Sequence, residues 1–192
     1  RCGAVSRLVP GAAYLAAACI PSGLLDATLS AFAGPIATTP HRPGAAAAAV
    51  AVAATISWVV TVRWRLLVPP GGRAPVPAFV LLAVAASGAG AGAIWALVAS
   101  LPAGAVAPAR TAVLAAAAVG LAAMRNRTSA EESGWLAWTV LSAAALRVLL
   151  QDLPGGQPIP LFVGFVLCGA ALLAVSSLGR RAGASPRYDG RP

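Results

Sequence analysis

The sequence has no lysine, a single histidine and very little charge. Only 10% of its 192 residues are charged, whereas a soluble domain carries roughly a quarter. Without lysine the chain has no residue for a retinal Schiff base, and with His41 alone it cannot hold haem between two histidines of its own. The shortage of charge argues against an ordinary soluble domain and predicts that the lipid bilayer is the solvent.

Cysteines and catalytic motifs are also scarce. The three cysteines, Cys2, Cys19 and Cys168, form no C-x-x-C pair, and this spacing argues against a zinc site or a redox dithiol. No G-x-S-x-G motif supplies a serine nucleophile. Glu131-Glu132 lacks the histidines of an intramembrane metalloprotease, so we interpret the pair as a solvated helix cap. We therefore expect a non-enzymatic protein with no catalytic residues and no metal site, and the presence of a cofactor stays open.

Apolar residues make up 59% of the chain and gather into six long stretches. A helix needs about 20 apolar residues to cross the hydrocarbon layer. The six stretches predict transmembrane helices near residues 8–25, 44–62, 75–101, 107–124, 134–150 and 158–178. We predict an all-α integral membrane bundle of about six transmembrane helices, with one domain over residues 1–182 and a flexible tail at 183–192. The proline-rich segment 27–43 is predicted to be an external loop, with residues 29–36 as a candidate segment in the membrane interface.

All fourteen basic residues are arginines, and they lie between the apolar runs. We interpret them as topology signals and expect no nucleic-acid partner. If six helices cross the membrane, the termini and loops on one side of it contain most of the arginines: Arg1, Arg7, Arg63, Arg65, Arg73, Arg125, Arg127, Arg180, Arg181, Arg187 and Arg191. The other side holds only Arg42 and Arg110, so both termini are predicted to be cytoplasmic. If the first stretch does not cross, five helices remain and the amino terminus moves outside.

Small residues predict close contacts between helices. Alanine-rich helices gain little from lipid by themselves, so packing through small side chains is expected to stabilise the bundle. Gly88 and Gly92 form a G-x-x-x-G face in the third predicted helix. This face predicts either an internal helix crossing or a contact with a second chain.

Three charged residues lie in or beside the apolar stretches. Arg147 and Asp152, five residues apart, flank the end of the fifth predicted helix. They are candidates for a structural ion pair, although an ionisable residue within a span is also a candidate functional group. Asp26 follows the first stretch, where it marks a helix boundary. In a longer first helix Asp26 would be embedded and would become a candidate proton or cation site.

The segment from Arg110 to Arg181 resembles the carboxyl-terminal part of a large bacterial family of predicted polytopic membrane proteins of unknown function. The resemblance rests on Arg147 five positions before Asp152, a short Pro/Gly turn at 151–156, and a last helix that ends in Arg180-Arg181. It implies a multi-pass helical protein of the bacterial inner membrane. It implies no activity, substrate or cofactor.

Two functional hypotheses follow from the sequence. The first is a non-catalytic structural or accessory subunit of a larger membrane complex, with the lipid bilayer and other membrane subunits as partners. The alternative is a small transporter or channel for a solute or a lipid-like molecule, because helices broken by glycine or proline often form such sites. An enzyme would need a partner chain or a cofactor to supply the missing chemical groups.

Overall fold

A computed structural model describes residues 3–34, 40–67, 75–102, 105–128, 131–152 and 158–183, and every regular element in them is helical. The helices are α1 Gly3–Ala18, α2 Leu24–Ala33, α3 Ala45–Leu67, α4 Pro75–Val98, α5 Val106–Thr128, α6 Glu131–Arg147 and α7 Pro158–Gly183. A π-helical turn, Val148–Asp152, continues α6. The predicted all-α class is thereby confirmed for the described residues. The predicted tail beyond residue 183 lies outside them.

Four segments in the described residues are long and apolar enough to cross a membrane. They are Ala45–Trp64, Val76–Val98, Val106–Arg125 and Glu131–Leu150. The apolar segments Val9–Ala18 and Leu161–Ser177 are shorter. Many large apolar side chains, including Ile56, Phe162 and Leu173, are exposed on the helix surfaces. These features fit a helical protein in contact with a lipid bilayer.

The amino-terminal region differs from the sequence prediction. The predicted helix over 8–25 ends at Ala18, and α2 occupies much of the predicted external loop. Pro21 lacks the N–H group that a continuing helix needs, and Gly23 adopts a left-handed conformation with φ +74°. These two residues separate α1 from α2. The other five helices overlap their predicted positions, and α3, α5 and α7 extend beyond the predicted ends.

Helix α4 lies at the centre of the bundle and contacts α1, α2, α3, α5 and α6. Both α1 and α2 run along it in the same direction, since Ala12 shares a buried cluster with Leu81 and Ala31 shares another with Ile94. The break between α1 and α2 comes level with Val84, because Cys19 packs against the cluster that contains Val84. Together α1 and α2 form one interrupted helix beside α4.

The carboxyl-terminal helices pack mainly on α5, which contacts both α6 and α7. Leu136 near the start of α6 shares a cluster with Leu121, whereas Leu141 shares one with Ala115. Helices α5 and α6 are therefore antiparallel. Along α7, Ala171 belongs to the cluster with Leu141, and Val175 belongs to the cluster with Leu136. Helix α7 thus runs antiparallel to α6 and returns to the end of the bundle where α6 begins.

Candidate functional site around helix α2

Asp26 and His41 form an ion pair or hydrogen bond beside α2. The Oδ2 atom of Asp26 lies 3.0 Å from Nδ1 of His41, and the two side chains are 74% and 71% exposed. The backbone N–H of His41 also donates to Oγ of Ser30 at 3.1 Å. Asp26 was a candidate embedded acid. It lies in the first turn of α2 with its side chain on the outside of the bundle, and its position relative to a membrane stays a prediction. A negative charge there interacts favourably with the helix dipole.

Arg110 holds the other end of α2. Its side chain is fully buried, and its Nη1 group donates to the carbonyl oxygen of Gly34 at 2.9 Å. Gly34 is the residue that terminates α2, where the helix dipole favours a positive charge. The sequence alone indicated no binding partner for Arg110. The signal that identifies it is an arginine one turn inside an apolar helix, which requires a partner in the protein.

Arg42 contacts α4 at the same end of the bundle. Its guanidinium lies 5.2 Å from the centre of the Trp95 ring, a distance that permits a cation–π interaction. Trp95 is in the last turn of α4, and Arg42 precedes α3. We call Asp26, His41, Arg42 and Arg110 the polar cluster. Asp26 lies in α2, His41 and Arg110 contact α2, and Arg42 is the neighbour of His41 in the sequence.

Arg147 is buried at the last residue of α6, where the π-helical turn begins. Because Leu141 packs near Ala115 in antiparallel α5, Arg147 comes level with the turn of α5 that contains Arg110. The side chain of Asp152 lies outside the described residues, so the Arg147–Asp152 ion pair stays a prediction. Helical turns of the π type occur frequently at functional sites.

Glu131 and Glu132 lie at the start of α6, and only one of them is exposed to solvent. This corrects the interpretation of the pair as a solvated helix cap. Glu131 is exposed, but Glu132 is only 2% exposed. Two residues later, a Cβ atom on Gly134 would lie 2.7 Å from Cδ of Arg125. Gly134 therefore lets the Arg125 side chain lie directly across α6. This surface is at the opposite end of the bundle from the polar cluster.

The glycines of α4 make different contacts. A Cβ atom on Gly88 would collide with Cβ of Ala51, so α3 and α4 approach closely there. A Cβ atom on Gly90 would lie 2.7 Å from Cζ of Phe32 in α2. The corresponding position on Gly92 has no neighbour within 4 Å. Among these three glycines of α4, Gly88 and Gly90 are therefore the positions of close approach to other helices.

The polar cluster provides one carboxylate, one imidazole and two guanidinium groups. Asp26 and His41 contact each other, whereas Arg42 contacts the Trp95 ring and Arg110 donates to the Gly34 carbonyl. Across the described ranges, no group of three or more histidine, cysteine or acidic side chains is placed to hold a metal ion. The geometry is that of a set of contacts that positions α2.

Comparison of the chain with protein-family models, with curated proteins and with solved structures finds no match. Only the class of protein therefore follows from the fold: it is an all-helical protein with helices suited to a lipid bilayer. The resemblance of residues 110–181 to a bacterial membrane-protein family stays a prediction.

Proposed function

We propose that the protein crosses the bacterial cytoplasmic membrane six times, with α1 and α2 together forming one interrupted crossing. Helix α3 is antiparallel to α4, because Ala51 meets Gly88 while Val62 shares a cluster with Ala78. Helix α5 is antiparallel to α4 as well, because Val98 and Val106 share a cluster. The directions of α3 to α7 therefore alternate, which supports this arrangement.

Exposed Arg63 and Arg127 lie at the end of the bundle opposite the polar cluster, and an excess of arginine favours the cytoplasmic side. Exposed Trp64 and Trp135 lie at the same end, at the level expected for an interfacial aromatic belt. Both termini are then cytoplasmic, and the end of the bundle that carries Arg42 and Arg110 faces outward.

Within this membrane the protein acts as a non-catalytic structural or accessory subunit of a larger complex. This proposal depends on one observation: buried polar side chains form hydrogen bonds to the backbone of helices. Arg110 binds the end of α2, while Thr61 and Thr111 donate to carbonyl groups of their own helices. These groups serve helix packing, and the exposed surfaces of the helices are apolar and suited to lipid or to another membrane subunit.

Native mass spectrometry of the protein extracted from its own membrane in mild detergent tests this function. A fixed ratio with other chains is the expected result. A monomer or homo-oligomer that carries a bound small molecule would contradict the accessory role.

One observation favours the alternative of a transporter for a solute or a lipid-like molecule. The first crossing is interrupted level with Val84, near the middle of the apolar segment Val76–Val98, and transporters often bind substrates at interrupted helices. Uptake of the co-purified molecule into proteoliposomes tests this alternative. Gly23→Leu should abolish uptake, whereas Gly11→Leu, at an open position in α1, should preserve it. Equal uptake by both variants would contradict a substrate site at the break.

A further inference from the structure

The side chain of Arg125 lies across the start of α6, at the end of the bundle opposite the polar cluster. A Cβ atom on Gly134 would lie 2.7 Å from Cδ, 3.0 Å from Nη1 and 3.2 Å from Nε of Arg125. These are the three atoms nearest to that position, so the absence of a side chain at Gly134 provides the space for the guanidinium. The Arg125 side chain is nevertheless exposed. The guanidinium therefore has a defined position and is accessible from outside the protein.

In the proposed membrane crossing, Arg125 lies at the level of the lipid headgroups. It is the last residue of the apolar segment Val106–Arg125, and Gly134 lies in the first turn of the segment Glu131–Leu150. Trp138 follows Gly134 by four residues, which places it one turn deeper on the same side of α6, and its ring is exposed. Tryptophan is enriched at this depth because its ring combines an apolar body with an N–H donor. We call Arg125, Gly134 and Trp138 the Arg125 site.

Positive charge predominates around the Arg125 site. Among the side chains that the structure describes at this end of the bundle, Arg63, Arg125 and Arg127 are exposed, and Glu131 is the one exposed acid. Glu132 is buried in the protein. Such a surface attracts anionic groups, and a guanidinium binds a phosphate group through two parallel N–H···O hydrogen bonds. The chemistry of the Arg125 site therefore suits a phosphate that lies beside apolar surface.

We propose that the Arg125 site binds an anionic phospholipid, with the phosphate on the Arg125 guanidinium and the upper part of the acyl chains beside Trp138. Basic sites between transmembrane helices are known to bind such headgroups. A free anion would use the guanidinium alone, whereas a phospholipid also contacts the aromatic ring and the apolar surface of α6. The proposal rests on the membrane crossing proposed above, and it does not depend on the accessory role.

Native mass spectrometry of the full chain, delipidated in detergent and titrated with phosphatidylglycerol or phosphatidylcholine, measures this binding. Phosphatidylglycerol should bind about five-fold more tightly, the effect of one arginine on an anionic lipid, because the choline group cancels the charge of the phosphate. Arg125→Gln should remove this preference. Equal binding of the two lipids by the unmodified protein would overturn the proposal.

Two further variants separate a defined site from a general attraction of arginines for anionic lipid. Gly134→Ala displaces the Arg125 side chain without changing any charge, and it should reduce the preference roughly two- to five-fold. Arg63→Gln removes an exposed arginine of α3 at the same end of the bundle and should leave the preference in place. An equal loss in Arg63→Gln and Arg125→Gln would show that general charge attracts the lipid, and the proposal would be wrong. Because both arginines are exposed, this comparison does not depend on how well the fold tolerates the change at Gly134.

Two controls separate the lipid from a free anion and the site from the membrane crossing. An excess of inorganic phosphate should not displace phosphatidylglycerol, and displacement would assign the site to a free anion and overturn the proposal. The protein should also stay in proteoliposomes after an alkaline wash. Release by the wash would contradict the crossing and the proposal with it, whereas a retained protein without a lipid preference would contradict the Arg125 site alone.

Discussion

Gly88 and Gly92, four residues apart in α4, have different surroundings. Because a methyl group on Gly88 would collide with Ala51, Gly88→Ala should lower the free energy of unfolding by about 1–3 kcal/mol. Gly92→Ala has open space and should be neutral or raise it by about 0.5–1 kcal/mol, since alanine favours helix. Reversible unfolding in mixed micelles measures both variants. Equal effects would contradict the contrast between the two positions.

Gly23 has a left-handed backbone conformation, and no neighbouring atom lies within 4 Å of its Cβ position. Glycine is therefore favoured here by the backbone conformation and not by a lack of space. A left-handed conformation costs a non-glycine residue roughly 1–2 kcal/mol, so Gly23→Ala should destabilise the fold by about that amount. Gly11→Ala is the matched control, because Gly11 lies within α1 and its Cβ position is also open. The same micelle unfolding assay compares them. Loss of stability in the Gly11 variant alone would contradict this account.

Arg147 is predicted to pair with Asp152, and a double-mutant cycle tests the pairing. Arg147→Ala should destabilise the protein because Asp152 loses its partner, and Asp152→Ala should do the same. The double variant should be less destabilised than the sum of the single variants by roughly 0.5–3 kcal/mol. Thermal unfolding in detergent provides the measurement. Strict additivity would exclude the ion pair.

At the scale of single helices, the apolar runs were sufficient to predict α3 to α7, because each run is long enough to form a buried or lipid-facing helix alone. Helix α2 was missed. The prolines that follow residue 34 led to a loop prediction that reached back to residue 27, although the buried residues Leu24, Ala27 and Ala31 have the spacing of one helix face. The polar cluster was missed for a different reason, since Arg110 and Gly34 are 76 residues apart.

The docking of α2 on α4 depends mainly on one side of the helix. Leu24 is 2% exposed and Leu25 is 48% exposed. Leu24→Ala should therefore lower the free energy of unfolding by about 2–5 kcal/mol, the usual cost of removing a buried leucine. Leu25→Ala should cost much less, because its side chain contacts few protein atoms. Chemical denaturation of the two variants in parallel checks the difference, and an equal loss would contradict the assigned orientation of α2.

At the scale of the whole molecule, arginine positions predicted an orientation that labelling can test. Ser100 follows α4 at the end of the polar cluster, and exposed Arg127 is near the opposite end of α5. In a variant without the native cysteines, Ser100→Cys should react with a membrane-impermeant maleimide in intact cells. Arg127→Cys should react only after permeabilisation. The reverse labelling pattern would show that the protein has the opposite orientation in the membrane. The packing of the helices is the same in both orientations, so only the arginine positions predict which end is cytoplasmic.

The interruption between α1 and α2 also has a consequence for membrane insertion during synthesis. The two helices contain 16 and 10 residues, each fewer than the about 20 that a crossing requires. Their main packing partner, α4, is synthesised only after them. If α1 and α2 form one crossing, as proposed, that crossing gains its full stability only when residues 75–98 enter the bilayer. Assembly would then not follow the order of the sequence, because a later helix completes an earlier one.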